Sequence, residues 1–184
     1  AGHDKVLNSI SYLWSSMVEL RKIKPSILTF SDVLVESEFG EDFGNHQNEN
    51  IIDITEDDIN KLFSGKLETV SEHRLFAGEL LSSYLYSYQR IIARISIVIQ
   101  KGRVNKSVPL WWEDEICKSV ISAVCNEKEK EVFNQLRFQK INWLLNHIEQ
   151  KFLSAANQII SGESSIDKAF EQSARIMQKY SNEE

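Results

Sequence analysis

The sequence predicts an all-α fold: an elongated, mainly antiparallel helical bundle with two long helices and an acidic loop. Apolar residues recur at alternating steps of four and three through the middle of the chain, the spacing of one face of a packed helix. Only two prolines and seven glycines occur in 184 residues, which favours long helices over many short strands. This length corresponds to one domain, so we treat residues 1–184 as a single helical domain.

The stretch that organises the chain runs over residues 68–102, where no proline occurs. Its main apolar seam consists of Ala77, Leu81, Tyr84, Tyr88, Ile91, Ile95 and Val98. A second seam beside it consists of Leu80, Leu85, Ile92 and Ile99. Because so wide a face needs more than one neighbouring helix, we predict the central helix of the bundle here, with Gly78 tolerated inside it.

The N-terminal part begins with a helix predicted from Asp4 to Ile23, which Pro25 stops. Residues 1–3 lack a methionine and are interpreted as a cloning remnant. Residues 26–36 fit either a short helix or a short strand, and we favour the helix. Residues 37–51 carry several carboxylates and neither Lys nor Arg, which predicts a flexible acidic loop.

Three polar pairs predict helix N-termini further along the chain, because a capping side chain and a carboxylate three residues later satisfy free backbone N–H groups. They are Thr55 with Asp58, Asn126 with Glu129, and Ser164 with Asp167. Pro109 opens the helix that precedes Asn126. The apolar face after Asn126 predicts the second long helix, over residues 127–161.

Composition limits the compartment and the partners. The net charge of −6 argues against a general nucleic-acid binder, and no apolar run is long enough to span a membrane. Cys117 and Cys125 lie eight positions apart in one predicted helix, too far for a disulfide within it. Two thiols and no visible signal peptide lead us to expect an intracellular protein, cytoplasmic or nuclear.

No stretch of the chain carries a signature of catalysis, cofactor binding or metal binding. A P-loop, a Gly-x-Ser-x-Gly elbow and a Gly-rich dinucleotide turn are all missing from the sequence. The histidines have no zinc or di-iron spacing, and the acidic loop does not match a calcium-binding EF-hand. We therefore expect no enzyme, no cofactor and no metal site.

Two features indicate partner binding instead. Trp111 and Trp112 point about 100° apart on a helix, so one is expected in the core and the other under a loop or exposed as an anchor. The basic residues between Glu79 and Glu113 are Arg90, Arg94, Lys101, Arg103 and Lys106. These cations either pair with the acidic loop and the helix dipole or bind phosphate groups.

These observations predict a non-catalytic protein–protein interaction module, a subunit or adaptor domain of a larger assembly. Its partner would be another protein or a second copy of the chain, because broad apolar helix faces can also be covered between chains. The alternative is a binder of nucleic acid or of an anionic surface, acting through the basic end of the central helix.

Overall fold

The chain is all-α in the computed structural model, which describes residues 2–64, 69–162 and 166–181, without the side chains of residues 166–170. The described residues form ten α-helices and no strand. The helices are α1 (Gly2–Ile23), α2 (Ser26–Ser31), α3 (Glu41–Asn45), α4 (Glu56–Lys61), α5 (Val70–Ala77), α6 (Glu79–Val104), α7 (Glu115–Val124), α8 (Glu127–Gln135), α9 (Lys140–Ser161) and α10 (Ile166–Ser181). Glu36–Glu38 and Trp111–Glu113 are 3₁₀ turns.

Helix α6 is the centre of the molecule. It packs against α1, α3, α4, α5, α7, α9 and α10. Fifteen of its 26 residues are buried, which is more than one apolar stripe can supply and explains why both predicted seams face protein. The prediction of a central helix with a wide apolar face is therefore confirmed.

The helix predicted over residues 68–102 is wrong at both of its ends. Gly78 adopts φ +88°, a conformation outside the helical region, and separates α5 from α6. Gly102, predicted to end the helix, lies inside α6, at a point where the backbone of Val108 packs against it. A Cβ at Gly102 would lie 2.6 Å from the Cα of Val108.

The second long helix, predicted over residues 127–161, is also two helices. Residues 136–139 separate α8 from α9, and Gln139 adopts φ +60° at the break. The Gln139 N–H donates to the Asp32 carbonyl at 2.6 Å, and the Asp32 carboxylate accepts from the N–H groups of Ile141 and Asn142 at 2.8 and 2.9 Å. Asp32 thus caps α9 from a distant segment. The described chain has three helices of 22 residues or more, α1, α6 and α9, where the sequence predicted two.

The acidic segment is not a continuous loop. It contains a 3₁₀ turn and the short helix α3, and Phe39 and Phe43 are buried against the core. Arg103 of α6 donates to the carbonyl oxygens of Phe43 and His46 at 2.6 and 2.7 Å. These apolar and backbone contacts stabilise the secondary structure of the segment. They could not be predicted from its charge pattern, which indicated only a flexible loop.

Other local predictions are confirmed. Ser26–Ser31 is a helix, and Thr55 and Asn126 each cap a helix with the carboxylate three residues later. The pair Ser164 and Asp167 lies outside the side chains that the structure describes. Cys117 and Cys125 are buried free thiols. None of the described helices combines the length and the apolar character needed to cross a membrane.

Candidate binding site

The two adjacent tryptophans occupy different environments. Trp111 is 1% exposed and packs edge-on against Phe133 of α8, with ring centroids 6.0 Å apart. Trp112 is half-buried and meets Phe39 of the acidic segment edge-on at 5.2 Å. The 3₁₀ turn Trp111–Glu113 places consecutive side chains on different sides, so one ring enters the core and the other reaches the surface.

Trp112 lines an open cleft of about 1040 Å³. Three chain segments form its walls: residues 35–40, residues 107–113 and residues 134–140. Gly40 and Val108 join the first two segments through a pair of backbone hydrogen bonds, of 2.8 and 3.0 Å. We call this feature the Trp112 cleft.

Lys140 lines the cleft and places its ammonium group over one face of the Trp112 ring. Its side chain is 7% exposed, and Nζ donates to the Phe133 carbonyl oxygen at 2.8 Å. The ammonium also lies 4.5 Å from the centroid of the Phe133 ring and 5.2 Å from that of Trp112. Burial lowers the pKa of Lys140, while the nearby carboxylates of Glu36 and Glu113 oppose this change.

The cleft rim carries charges of both signs. Glu36 and Glu113 lie on the first two walls, and Arg137 lies on the third, all three exposed. Arg137 belongs to the α8–α9 corner, whose geometry depends on the cap by Asp32 described above. Burial raises the pKa of Asp32, and the two backbone N–H groups that it accepts oppose this rise.

The basic residues predicted as a phosphate-binding set do not form one open patch. The Arg94 guanidinium makes a bidentate pair with Asp114, at 2.9 and 2.7 Å. Arg103 pairs with Asp53 at 2.8 Å in addition to its two backbone carbonyls. Arg90 lies over the rings of Tyr86 and Tyr180, at 5.9 and 4.7 Å. Lys101 and Lys106 are exposed.

The Arg94–Asp114 pair positions the start of α7. Asp114 is the N-cap of that helix and accepts from the N–H groups of Ile116 and Cys117, both at 3.1 Å. The hydrogen bond from Arg94 lowers the pKa of the Asp114 carboxyl. Helix α7 follows directly after the tryptophan turn, so this cap also fixes the turn relative to α6.

A further polar cluster lies between α8 and α9. His147 Nε2 is 2.9 Å from a carboxylate oxygen of Glu129, and Lys151 donates to the other oxygen at 3.0 Å. The His147 ring stacks on Trp143, with centroids 4.9 Å apart. Burial lowers the pKa of His147, and the Glu129 charge opposes this change. The sequence places Glu149 beside His147, but the fold pairs Glu149 with Arg21.

Sequence reasoning singled out Trp112 but missed Lys140, Arg137 and Asp32. Lys140 could have been noticed in the sequence only as a basic residue at the start of the apolar stretch that forms α9. Asp32 carries no local signal, because its partners lie more than one hundred positions away. No group of three metal-ligating side chains occurs within the described residues.

Comparisons with known proteins give no relative from which a role could be transferred. No family model, no curated protein and no solved structure matches the chain.

Proposed function

We propose that this chain is a non-catalytic interaction module, a subunit or adaptor domain, which receives a segment of a partner protein in the Trp112 cleft. The observation that carries the proposal is the position of Trp112. Its ring lines a cleft of about 1040 Å³, whereas its neighbour Trp111 is fully packed in the core. Tryptophan is enriched among the residues that dominate binding energy at protein interfaces.

The surroundings of Trp112 support this proposal. The cleft is lined by a half-buried aromatic ring and by exposed charged groups, which matches the anatomy of protein interfaces, where an apolar centre is enclosed by a polar edge. Glu36 and Glu113 on one side and Arg137 on the other would select a partner segment with charges of both signs. The hydrogen bond and ring contacts of Lys140 hold the Trp112 ring in place before a partner arrives.

The first prediction concerns Trp112→Ala. We expect a partner protein captured with the wild-type chain to bind this variant about thirtyfold more weakly, the loss typical of an interface hot spot. Leu75→Ala is the matched control, because Leu75 is 83% exposed on α5 and outside the cleft. Affinity purification read by mass spectrometry identifies the partner, and surface plasmon resonance with the purified partner gives the affinities.

Thermal unfolding separates binding from folding in the same experiment. Trp111→Ala should lower the free energy of unfolding by about 3–5 kcal/mol, because it removes a buried ring. Trp112→Ala should lower the free energy of unfolding by clearly less than Trp111→Ala does, because the Trp112 ring is only half-buried. Equal losses for the two variants, or unchanged partner affinity for Trp112→Ala, would show that Trp112 is only a structural residue.

The second candidate function is a binder of nucleic acid or of an anionic surface. The exposure of Lys101 and Lys106 near the end of α6 favours it, whereas the ion pairs of Arg94 and Arg103 reduce the charge available for phosphates. Nuclease treatment before purification distinguishes the two candidates. Partners lost after nuclease, with affinity that falls steeply as salt rises, would favour this second candidate.

A further inference from the structure

Lys140 is the only buried charged residue among those whose side chains the structure describes, at 7% exposed. It lines the Trp112 cleft, and its ammonium group lies over the rings of Trp112 and Phe133. Phe133 is 2% exposed and belongs to the core. Lys140 therefore lies at the boundary between the core and the cleft, where its charge is largely shielded from water.

The ammonium group of Lys140 has no carboxylate partner. Its Nζ donates one hydrogen bond, to the Phe133 carbonyl oxygen, and no ion pair within the described part of the chain includes it. Because an ammonium group has three N–H donors, two of them are left without an oxygen acceptor among the described residues. The nearby rings attract the cation but carry no negative charge. A charge withdrawn from water is costly unless an opposite charge lies beside it.

Half-buried cations elsewhere in the protein show what Lys140 lacks. Four of them each lie beside a carboxylate: Arg21 with Glu149, Arg94 with Asp114, Arg103 with Asp53, and Lys151 with Glu129. Lys140 is more deeply buried than these four residues and has no such partner. Its place on the wall of an open cleft allows another molecule to supply the carboxylate.

The acidic residues of the cleft do not take this place. Glu36 and Glu113 act on Lys140 only through their charge, which opposes the lowering of its pKa by burial. Glu113 is paired with Lys118, at 3.0 Å. Arg137 adds a second cation to the lining and makes no ion pair with a described residue. Apart from the paired Glu113, the lining therefore has one carboxylate and two cations, and it favours an anion.

We propose that the partner segment received by the Trp112 cleft carries an Asp or Glu side chain next to an apolar residue, and that this carboxylate pairs with Lys140. Resting on the proposed function, it specifies the chemistry of the partner segment. The carboxylate would accept hydrogen bonds from the two remaining donors of Lys140, where water and salt weaken the attraction little. A phosphate group has close to two negative charges, so Glu36 would repel it more strongly.

The remaining lining fits a segment of several residues. Half-buried apolar side chains come from all three walls of the cleft: Val35, Leu110 and Leu136. An apolar residue next to the acid would cover this surface and remove it from water. At about 1040 Å³ the cleft is larger than most sites for small molecules, which favours a side chain within a continuing segment over a chain end as the source of the carboxylate.

The test begins with random peptides displayed on a carrier to which their C-termini are fused, so that the carboxylates within each peptide belong to side chains. Selection on the immobilised wild-type protein, followed by removal of peptides that also bind Trp112→Ala, isolates ligands of the cleft. We expect the selected peptides to be enriched in Asp or Glu next to an apolar residue.

A selected peptide is then synthesised with its acid intact, replaced by the matching amide, or replaced by phosphoserine. Isothermal titration at about 0.15 M salt should show that the wild-type protein binds the acidic peptide about tenfold more tightly than the other two. Lys140→Met keeps a long unbranched side chain between the same rings but removes the charge. This variant should bind the acidic and amide peptides within about twofold of each other.

Two control variants should keep the tenfold preference for the acid. Lys101→Met removes the same charge from an exposed position on α6, outside the cleft. Arg137→Met removes the other cation of the lining, and its exposure makes the loss of stability small. Circular dichroism checks the fold of each variant. If Lys140→Met does not fold, the wild-type and Arg137→Met titrations still decide the result.

Several results would overturn the pairing with Lys140. They are Trp112-dependent peptides without acidic enrichment, equal affinities of the acidic and amide peptides for the wild-type protein, tighter binding of the phosphoserine peptide, and a preference for the acid that survives in Lys140→Met or disappears in Arg137→Met. In each of these cases, binding that depends on Trp112 would still support the proposed function. If no displayed peptide requires Trp112, the proposed function and the pairing with Lys140 are both wrong.

Discussion

Asp114 serves two structural purposes with one carboxylate. It caps α7 through the N–H groups of Ile116 and Cys117, and it holds Arg94 of α6 in a bidentate pair. The side chains of Arg94 and Asp114 are 29% and 16% exposed, so the pair is partly shielded from water and from salt. It is therefore stronger than an ordinary surface ion pair.

The pH dependence of stability follows from this pair. Asp114→Asn keeps a capping side chain but removes the charge, and should lower the free energy of unfolding by about 1–3 kcal/mol at pH 7. Because Arg94 lowers the pKa of Asp114 in the folded state, the wild-type advantage is complete above the unfolded pKa of about 3.9. This advantage is lost as the pH falls through the lower pKa that Asp114 has in the folded state.

Urea unfolding at a series of pH values measures this difference. Asp57→Asn is a suitable control, because the Asp57 side chain is 75% exposed and its variant should change stability by less than about 0.5 kcal/mol. A wild-type advantage over Asp114→Asn that stays constant down to pH 2 would contradict the assignment.

Contacts between residues that are far apart in the sequence, such as Arg94 and Asp114, could not be predicted from the sequence alone. An acidic first turn at 113–115 could be predicted from the helix dipole, but the partner Arg94 could not, because it lies twenty positions away on another helix. Trp112 could be predicted as the counterpart of a buried Trp111. The cleft around it could not, since its walls come from three separate segments.

At the scale of elements, periodicity predicted the helices and failed at their ends. The seams of α6 are read correctly because burial follows the helical repeat. The break at Gly78 depends on a positive φ, and the break at residues 136–139 has neither Gly nor Pro to announce it. It is stabilised by backbone N–H groups that donate hydrogen bonds to Asp32, a contact that no local pattern contains.

Close packing between elements gives a further prediction. A Cβ at Gly44 of α3 would overlap the backbone of Lys106 and Ser107, which approach α3 directly. Gly44→Ala should therefore lower the free energy of unfolding by about 3 kcal/mol, since a backbone segment must move to admit the methyl group. Chemical unfolding at 25 °C measures the change.

Gly162→Ala provides the contrast. Gly162 adopts φ +72° but has open space where its Cβ would lie, so this variant should cost only the conformational strain of about 1 kcal/mol. If both alanine variants cost the same, steric overlap at Gly44 would not be the cause.

At the scale of the whole molecule, the packing of other helices around α6 makes that helix the most protected part of the described chain. Hydrogen exchange should be slowest at the backbone amides of residues 84–99, because exposing them requires the surrounding helices to separate. Exchange measured by mass spectrometry across a denaturant series would give these amides the free energy of global unfolding. Slower exchange in α1 or α9 than in α6 would contradict this architecture.

The buried thiols give the molecule an internal kinetic reporter. Burial raises the pKa of Cys117 and raises that of Cys125 to about 12, so neither forms the reactive thiolate at neutral pH while it is packed. An alkylating reagent can then modify them only during transient opening of α7 or of its C-terminal end. Since α7 begins next to the tryptophan turn, the labelling rate of Cys117 reports how often α7 opens beside the Trp112 cleft, in the wild-type chain and without an introduced cysteine.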